Sequence, residues 1–235
     1  IRAAVNSKKN YNKPLEGLNI IVDAGNGSGG FFASKVLEEL GASTKGSQFL
    51  NPDGNFPNHI PNPENKEAIE SICQAVIKNK SDLGIIFDTD VDRAAIVDKY
   101  GNPINKDALI ALISVIILNE YPGSAIVTDS ITTDGLSRFI EKLGGKHHRF
   151  KRGYKNVINE GIRLNGENEE CHLAIETSGH AAIKENYFLD DGAFLVSKIL
   201  VYVAKLAEQG KDIGELIKEL EEPLESIEYL SLIHI

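Results

Sequence analysis

Three carboxylates at alternate positions, with an arginine directly after them, hold the densest chemistry in this sequence. They are Asp88, Asp90 and Asp92, followed by Arg93, in the stretch Asp88-Thr89-Asp90-Val91-Asp92-Arg93. The apolar run 83–87 before them reads as a buried strand. The acids therefore fall at the carboxyl end of a strand, where open α/β sheets place their ligands. In an extended loop, alternate side chains point to one side. Unneutralised carboxylates there repel one another, and a hard divalent cation such as Mg²⁺ relieves the repulsion through oxygen ligands. Arg93 adds a planar fork suited to a phosphate beside that metal. A solvated acidic turn is the plainer alternative. An EF-hand fits poorly: Arg93 stands at its sixth position, where Gly belongs, and Lys99 at its twelfth, where Glu belongs.

A second loop, Glu176-Thr177-Ser178-Gly179-His180, sits between two short apolar runs. Glu accepts, Ser does either, and His donates or accepts, so the loop can grip vicinal hydroxyls of a sugar. Ser178 as a nucleophile with His180 as its base is a poor fit, because no G-x-S-x-G elbow surrounds it. Taken alone, His180 reads as a solvated bystander. The basic cluster Lys151-Arg152-Gly153-Tyr154-Lys155 opens a predicted helix, which is the setting of an anion site. Solubility explains it equally. His147 and His148 have no metal-ligand spacing and read as a surface pair.

Gly25-Asn26-Gly27-Ser28-Gly29-Gly30 matches G-x-G-x-x-G between a strand and a helix. The acid that should hold a ribose is missing, since the next strand, near residues 45–50, offers Gln48. Asp23 would oppose a pyrophosphate. A tight turn whose glycines permit close helix packing is the better reading.

The elements that must position these residues alternate. Strands are predicted at 18–22, 45–50, 83–87, 94–97, 125–128, 146–150, 173–175 and 181–183. Helices are predicted at 31–40, 63–79, 107–119, 134–143, after Gly153, at 192–208, and after an N-cap at Asp212. Residues 1–16 read as an entry helix or linker, and 51–63 as an ordered loop rich in Pro and Asn. The fold class is α/β: two consecutive three-layer α/β domains with mixed, largely parallel sheets. The strand–helix pattern restarts near Asn102. That places one domain at 1–102 with the carboxylate loop, a second at 103–210 with the 176–180 loop, and a helix and linker at 211–235.

Composition narrows the partners. The 235 residues carry 34 acids against 25 bases, a net charge of −9, which disfavours general nucleic-acid binding. Cys73 and Cys171 have no metal-ligand neighbours and read as buried free thiols in a reducing compartment. The apolar segment 108–118 is too short to cross a membrane, and no signal peptide opens the chain, so a cytoplasmic protein without membrane partners is expected. The chain starts at Ile1, lacks methionine, and ends in an apolar tail at 231–235. It therefore reads as part of a longer protein.

In order, these pieces resemble the α-D-phosphohexomutases, the phosphoglucomutase/phosphomannomutase family. Residues 23–30 resemble the start of that family's second domain. Asp53-Gly54-Asn55-Phe56-Pro57 with Asn62-Pro63-Glu64 resembles its next loop. Asp88 to Arg93 resembles its magnesium loop, Gly153-Tyr154-Lys155 its G-x-K segment, and Glu176 to His180 its sugar-recognition loop. The likeness runs from about residue 15 to 206. It implies Mg²⁺ on Asp88, Asp90 and Asp92, and Arg93 managing the phosphoryl group. It also implies Glu176 and Ser178 on sugar hydroxyls, with Lys155 and His180 as candidates for proton transfer. The family moves phosphate between C1 and C6 of a hexose through an enzyme phosphoserine and a hexose bisphosphate. Its phosphoserine sits in a Ser-His context in an earlier domain, and this chain has no Ser-His pair. The resemblance thus covers domains two and three, with the N- and C-terminal domains as missing partners, and the chain alone is expected to be inactive. Thr89 and Val91 stand where glycines are commonest in the metal loop, and Ile175 where Gly often precedes the sugar-loop Glu.

Two rivals remain. A haloacid-dehalogenase-type phosphatase would use Asp88 as nucleophile and Asp90 as general acid, with Thr128, Lys151 and Asp190-Asp191 as later motifs. A non-catalytic sugar-phosphate-binding module would bind without turnover.

Overall fold

A computed structural model describes residues 1–221. The apolar tail at 231–235 and most of the linker expected at 211–235 lie outside the described residues. A single-turn helix, α1 (Arg2–Val5), precedes β1 (Ile20–Asp23), which is buried along its whole length. The helix expected at 31–40 is loosened. Glu38 N–H donates to Ala33 O and Ala42 N–H to Leu37 O, five residues back rather than four. The strand expected near 45–50 makes only isolated parallel bridges beside β1, Asn19 with Ser43 and Asp23 with Gln48. Left-handed backbone at Gly46 (φ +105) and Phe49 (φ +53) interrupts it.

Helix α2 (Lys66–Asn79) starts later than Pro63, because the Asn65 side chain caps it and accepts from Ala68 N–H at 2.9 Å. Then come β2 (Leu83–Phe87), β3 (Ala94–Asp98), β4 (Pro103–Ile104), α3 (Lys106–Glu120), β5 (Ala125–Asp129) and α4 (Asp134–Lys142). The chain continues through β6 (Lys146–Phe150), α5 (Tyr154–Gly166), β7 (Cys171–Ile175), β8 (Ala181–Ile183) and α6 (Gly192–Ala207). Asp212 caps as expected, accepting from Gly214 N–H at 3.0 Å, but the segment it opens is only a short 3₁₀ turn, Ile213–Leu216.

The first sheet has the order β1-β2-β3-β4 and the second β6-β5-β7-β8. Pairing is parallel between β1 and β2 and through β6-β5-β7; β3, β4 and β8 add antiparallel edges. One face of the first sheet packs on α2 through Ile21, Ile86, Ala95 and Val97 against Ile72 and Val76. One face of the second packs on α5 through Ala125, Val127 and Ala174 against Val157 and Leu164. The remaining faces share one core with α3 and α6 between them. Every residue of α3 from 109 to 118 is buried. A helix apolar all round needs neighbours on every side, so α3 binds the two halves into one body. No helix among the described residues is long and apolar enough to cross a membrane.

Two sequence expectations need correcting. Cys171 is buried, but Cys73 is only half-buried. His147 is not a solvated residue, and His148, though still at the surface, is paired. His147 lies between the hydroxyls of Thr128 (2.7 Å) and Ser137 (2.6 Å), and His148 pairs with buried Glu160 at 2.8 Å. Edge-strand alternation hid this, because the partners come from β5, α4 and α5.

Burial, reinforced by Arg149, lowers the His147 pKa to about 4. The unfolded chain therefore binds the extra proton between pH 6.5 and 4, and the fold resists it. The stabilisation is complete above pH 6.5 and is lost as pH falls towards 4. Discounted for partial exposure, it is worth about 1–2 kcal/mol. Urea titrations across that range should show a flatter profile for His147→Gln than for the parent chain.

Candidate functional site

The loop after β2 is a tight turn rather than an extended segment. Val91 adopts φ +74, a strained conformation for a β-branched residue, costing roughly 1–3 kcal/mol. Burial of its side chain in the shared core offsets that cost. The turn gathers the acids in place of strand alternation. Asp88 is 1% exposed, Asp92 half-buried and Asp90 exposed, and oxygens of all three lie within 4.8 Å of one another. Asp88 Oδ1 accepts from Val91 N–H (2.9 Å) and Arg93 N–H (3.2 Å), and its Oδ2 accepts from Arg93 Nε (3.0 Å). Arg93 Nε also lies 3.7 Å from Asp92 Oδ1.

Charge in the turn is under-compensated. Burial first, then Asp92, push the Asp88 carboxyl above its usual range, although Arg93 opposes them. A single guanidinium faces three carboxylates. A hard divalent cation with a preference for oxygen donors fits this set.

The glycine turn packs against the same loop. A Cβ on Gly27 would stand 2.8 Å from Thr89 O, and one on Gly30 would overlap the Leu50 carbonyl oxygen. Asp23 is fully buried and accepts from Gly25 N–H (2.9 Å), Gln48 Nε2 (2.7 Å) and His59 Nε2 (3.0 Å). These glycines serve close packing, and the space a pyrophosphate needs is filled by backbone.

The 176–180 loop meets the carboxylate loop directly, because Arg93 and His180 pair as an antiparallel bridge. His180 Nδ1 lies 2.7 Å from Asp190 Oδ2 and 3.7 Å from Asp92 Oδ2. Burial works against a charged His180 ring, but Asp190 and Asp92 outweigh it and raise its pKa. The Tyr154 ring stacks on His180, with centroids 4.8 Å apart and planes at 20°. Glu176 is 5% exposed; its Oε1 accepts from Gly153 N–H at 2.5 Å and its Oε2 from Ser178 Oγ at 3.2 Å. Buried Asp129, at the end of β5, accepts from Thr177 Oγ1 at 2.8 Å and anchors the loop from below. Lys155 is exposed, and its Nζ lies 5.8 Å from the Tyr154 ring centre.

The structure therefore brings Asp88, Asp90, Asp92, Arg93 and His180 together. Glu176 and Ser178 sit on the adjoining loop, bonded to each other. Among the described residues, Lys155 reaches the cluster through the Tyr154 ring. Four residues outside the proposed metal, phosphate and sugar-loop sets also converge. Asn62 Oδ1 accepts from Arg93 Nη1 at 3.3 Å, and Glu64 lies 4.0 Å from it. Asp129 and Asp190 brace the 176–180 loop. The signal for Asp190 was present in the chain. Of the neighbouring acids Asp190 and Asp191, only Asp191 is needed to cap α6, accepting from Phe194 N–H at 2.9 Å.

The start of α6 also docks on the carboxylate turn. Gly192 N–H donates to Val91 O at 3.0 Å, and a Cβ there would stand 2.7 Å from the Arg93 carbonyl carbon. Backbone cannot swing aside as a side chain can, so Gly192→Ala should cost about 1–3 kcal/mol. Calorimetric melting of the chain measures that loss, and Mn²⁺ affinity should fall with it.

The family model for phosphoglucomutase/phosphomannomutase α/β/α domain II matches residues 1–101, and that for domain III matches residues 105–224. The chain belongs to the phosphoglucomutase/phosphomannomutase family. A phosphomannomutase/phosphoglucomutase of Pseudomonas syringae is 34% identical over 199 residues, covering 84% of this chain and 42% of its own length. The crystal structure of a phosphoglucomutase/phosphomannomutase family protein from Burkholderia thailandensis superposes with a TM-score of 0.76 at 32% identity, over 87% of this chain and 43% of that one. An Aspergillus fumigatus N-acetylphosphoglucosamine mutase, solved with GlcNAc-6P and magnesium, shares the fold. Its TM-score is 0.58 at 16% identity, over 94% of this chain and 52% of that one. The chain spans about two fifths of the length of the curated family members it matches.

Proposed function

We propose that this chain forms the metal-binding and sugar-reading centre of a hexose-phosphate mutase. The observation that carries the reading is the convergence of Asp88, Asp90 and Asp92 on one point, with Arg93 joined through its backbone to His180. In this reading Asp88, Asp90 and Asp92 hold Mg²⁺. When bound, the metal supplies positive charge that lowers the barrier to phosphoryl transfer between C1 and C6 oxygens. Arg93 steers the phosphoryl group. Glu176 and Ser178, ordered by their mutual hydrogen bond, orient sugar hydroxyls. His180 exchanges a proton with a hydroxyl, and Lys155 adds positive charge at the mouth of α5. The phosphoserine and the grip on the distal phosphate come from domains outside this chain, which contributes its own two domains, 1–102 and 103–210, to the whole protein. Hexose bisphosphate is the intermediate, and the two free cysteines suit a reducing cytoplasm.

The phosphatase reading leaves Asp92, Arg93 and the 176–180 loop without roles, although they meet beside Asp88.

The test has two arms. Titration calorimetry with Mg²⁺ or Mn²⁺ should give one site per chain. A coupled assay with glucose 1-phosphate or mannose 1-phosphate should show no turnover by the 235-residue chain. Full turnover by the chain alone overturns the placement of the phosphoserine elsewhere. Absence of divalent binding overturns the metal assignment.

A further inference from the structure

We propose that Asp190 is a positioning residue for His180, holding its ring so that Nδ1 carries the proton and Nε2 is the free acceptor nitrogen. The proposal rests on the reading of His180 as the proton-transfer group.

Asp190 and Tyr154 hold the ring, and backbone ties hold Asp190 in turn. Asp190 Oδ2 lies 2.7 Å from Nδ1, a carboxylate–imidazole distance that requires Nδ1 to donate. Asp190 Oδ1 accepts from Ala181 N–H at 2.9 Å, which ties the carboxylate to the backbone of the residue following His180. The backbone repeats the tie: Ala182 and Asp190 form a bridge, and Asp191 N–H donates to Ala181 O. Tyr154 covers a face of the ring and stops it tilting. Asp92 approaches the same nitrogen but stays at 3.7 Å, outside hydrogen-bond distance, so Asp190 is the acceptor of the Nδ1 proton.

The consequence is chemical. A neutral histidine has one donor and one acceptor nitrogen, and its partner decides which is which. With Nδ1–H committed to Asp190, Nε2 is left to take a proton from a sugar hydroxyl. Nε2 has no hydrogen-bond partner among the described residues. Asp190 then stabilises the imidazolium that this proton transfer creates.

Asp190→Asn tests the idea with little change of shape. The asparagine Oδ1 keeps the bond to Ala181 N–H, while its amide group donates to Nδ1 and forces the proton onto Nε2. In ¹⁵N-histidine-labelled chain, at a pH where the rings are neutral, two-bond ¹H–¹⁵N correlation should show His180 as the Nδ1–H tautomer. Asp190→Asn should reverse it. An unchanged tautomer overturns the proposal. In the intact protein, Asp190→Asn should lower kcat about 10²–10⁴-fold with KM for hexose phosphate nearly constant. Added to His180→Gln it should lower kcat no further. An equal loss on the His180→Gln background overturns the positioning role. If His180→Gln itself keeps full turnover, the assignment of His180 fails, and the tautomer measurement reports that separately.

Discussion

Asp88→Ala is expected to weaken Mg²⁺ or Mn²⁺ binding by the chain about 100-fold or more. The reason is geometric as well as electrostatic. Asp88 is the buried member of the three carboxylates, and it holds the turn that carries the other two. Its removal leaves Val91 N–H, Arg93 N–H and Arg93 Nε without their acceptor. That should also cost about 2–3 kcal/mol of folding stability. Asp90→Ala is the informative contrast. Asp90 is exposed, so its loss should weaken metal binding about 10-fold while moving stability by less than about 0.5 kcal/mol. Calorimetry for the ion and urea unfolding for the fold separate the two effects. Equal ion affinity in the parent chain and Asp88→Ala would remove the carboxylate turn from the metal assignment.

Gly30→Ala should produce the largest loss of stability. The added methyl overlaps the Leu50 carbonyl oxygen and stands 2.8 Å from its carbon. Neither atom belongs to a flexible side chain. The segment entering the 51–63 loop, or the turn after β1, must shift as a unit, at a cost of about 3 kcal/mol or more. In a protein of this size that lowers Tm by about 10 °C. Gly54→Ala, with open space around its Cβ, is the control and should leave Tm nearly unchanged. Similar melting temperatures for the two variants would remove close packing as the reason for the glycines at 25–30.

Much of the fold was legible because its signals are local. Residues 83–87 form a short apolar run, and they are a buried strand. Ala108 to Leu118 is apolar on every face, which already excludes a surface helix, and α3 is buried between the sheets. The misreadings have two causes, left-handed backbone within a segment and partners distant in the chain. Residues 45–50 look like a strand, yet left-handed turns at Gly46 and Phe49 reduce them to bridges. His147 and His148 lie on an edge strand, yet α4 supplies Ser137 to the first and α5 supplies Glu160 to the second.

The candidate site divides in the same way. Residue types and spacing by themselves determined that Asp88, Asp90 and Asp92 suit a hard cation, that Arg93 suits a phosphate, and that 176–180 can hold hydroxyls. Side-chain chemistry travels with the residue, so it can be read without coordinates. Only the tertiary structure decided that the acids meet through a left-handed turn at Val91, and that His180 is clamped between Asp190 and Tyr154. It also decided that the Glu176 carboxylate faces Gly153 and that Lys155 stands apart. Those outcomes depend on contacts between segments far apart in the chain. Such contacts are set by packing α6 and β8 against the carboxylate turn, and no local pattern encodes them.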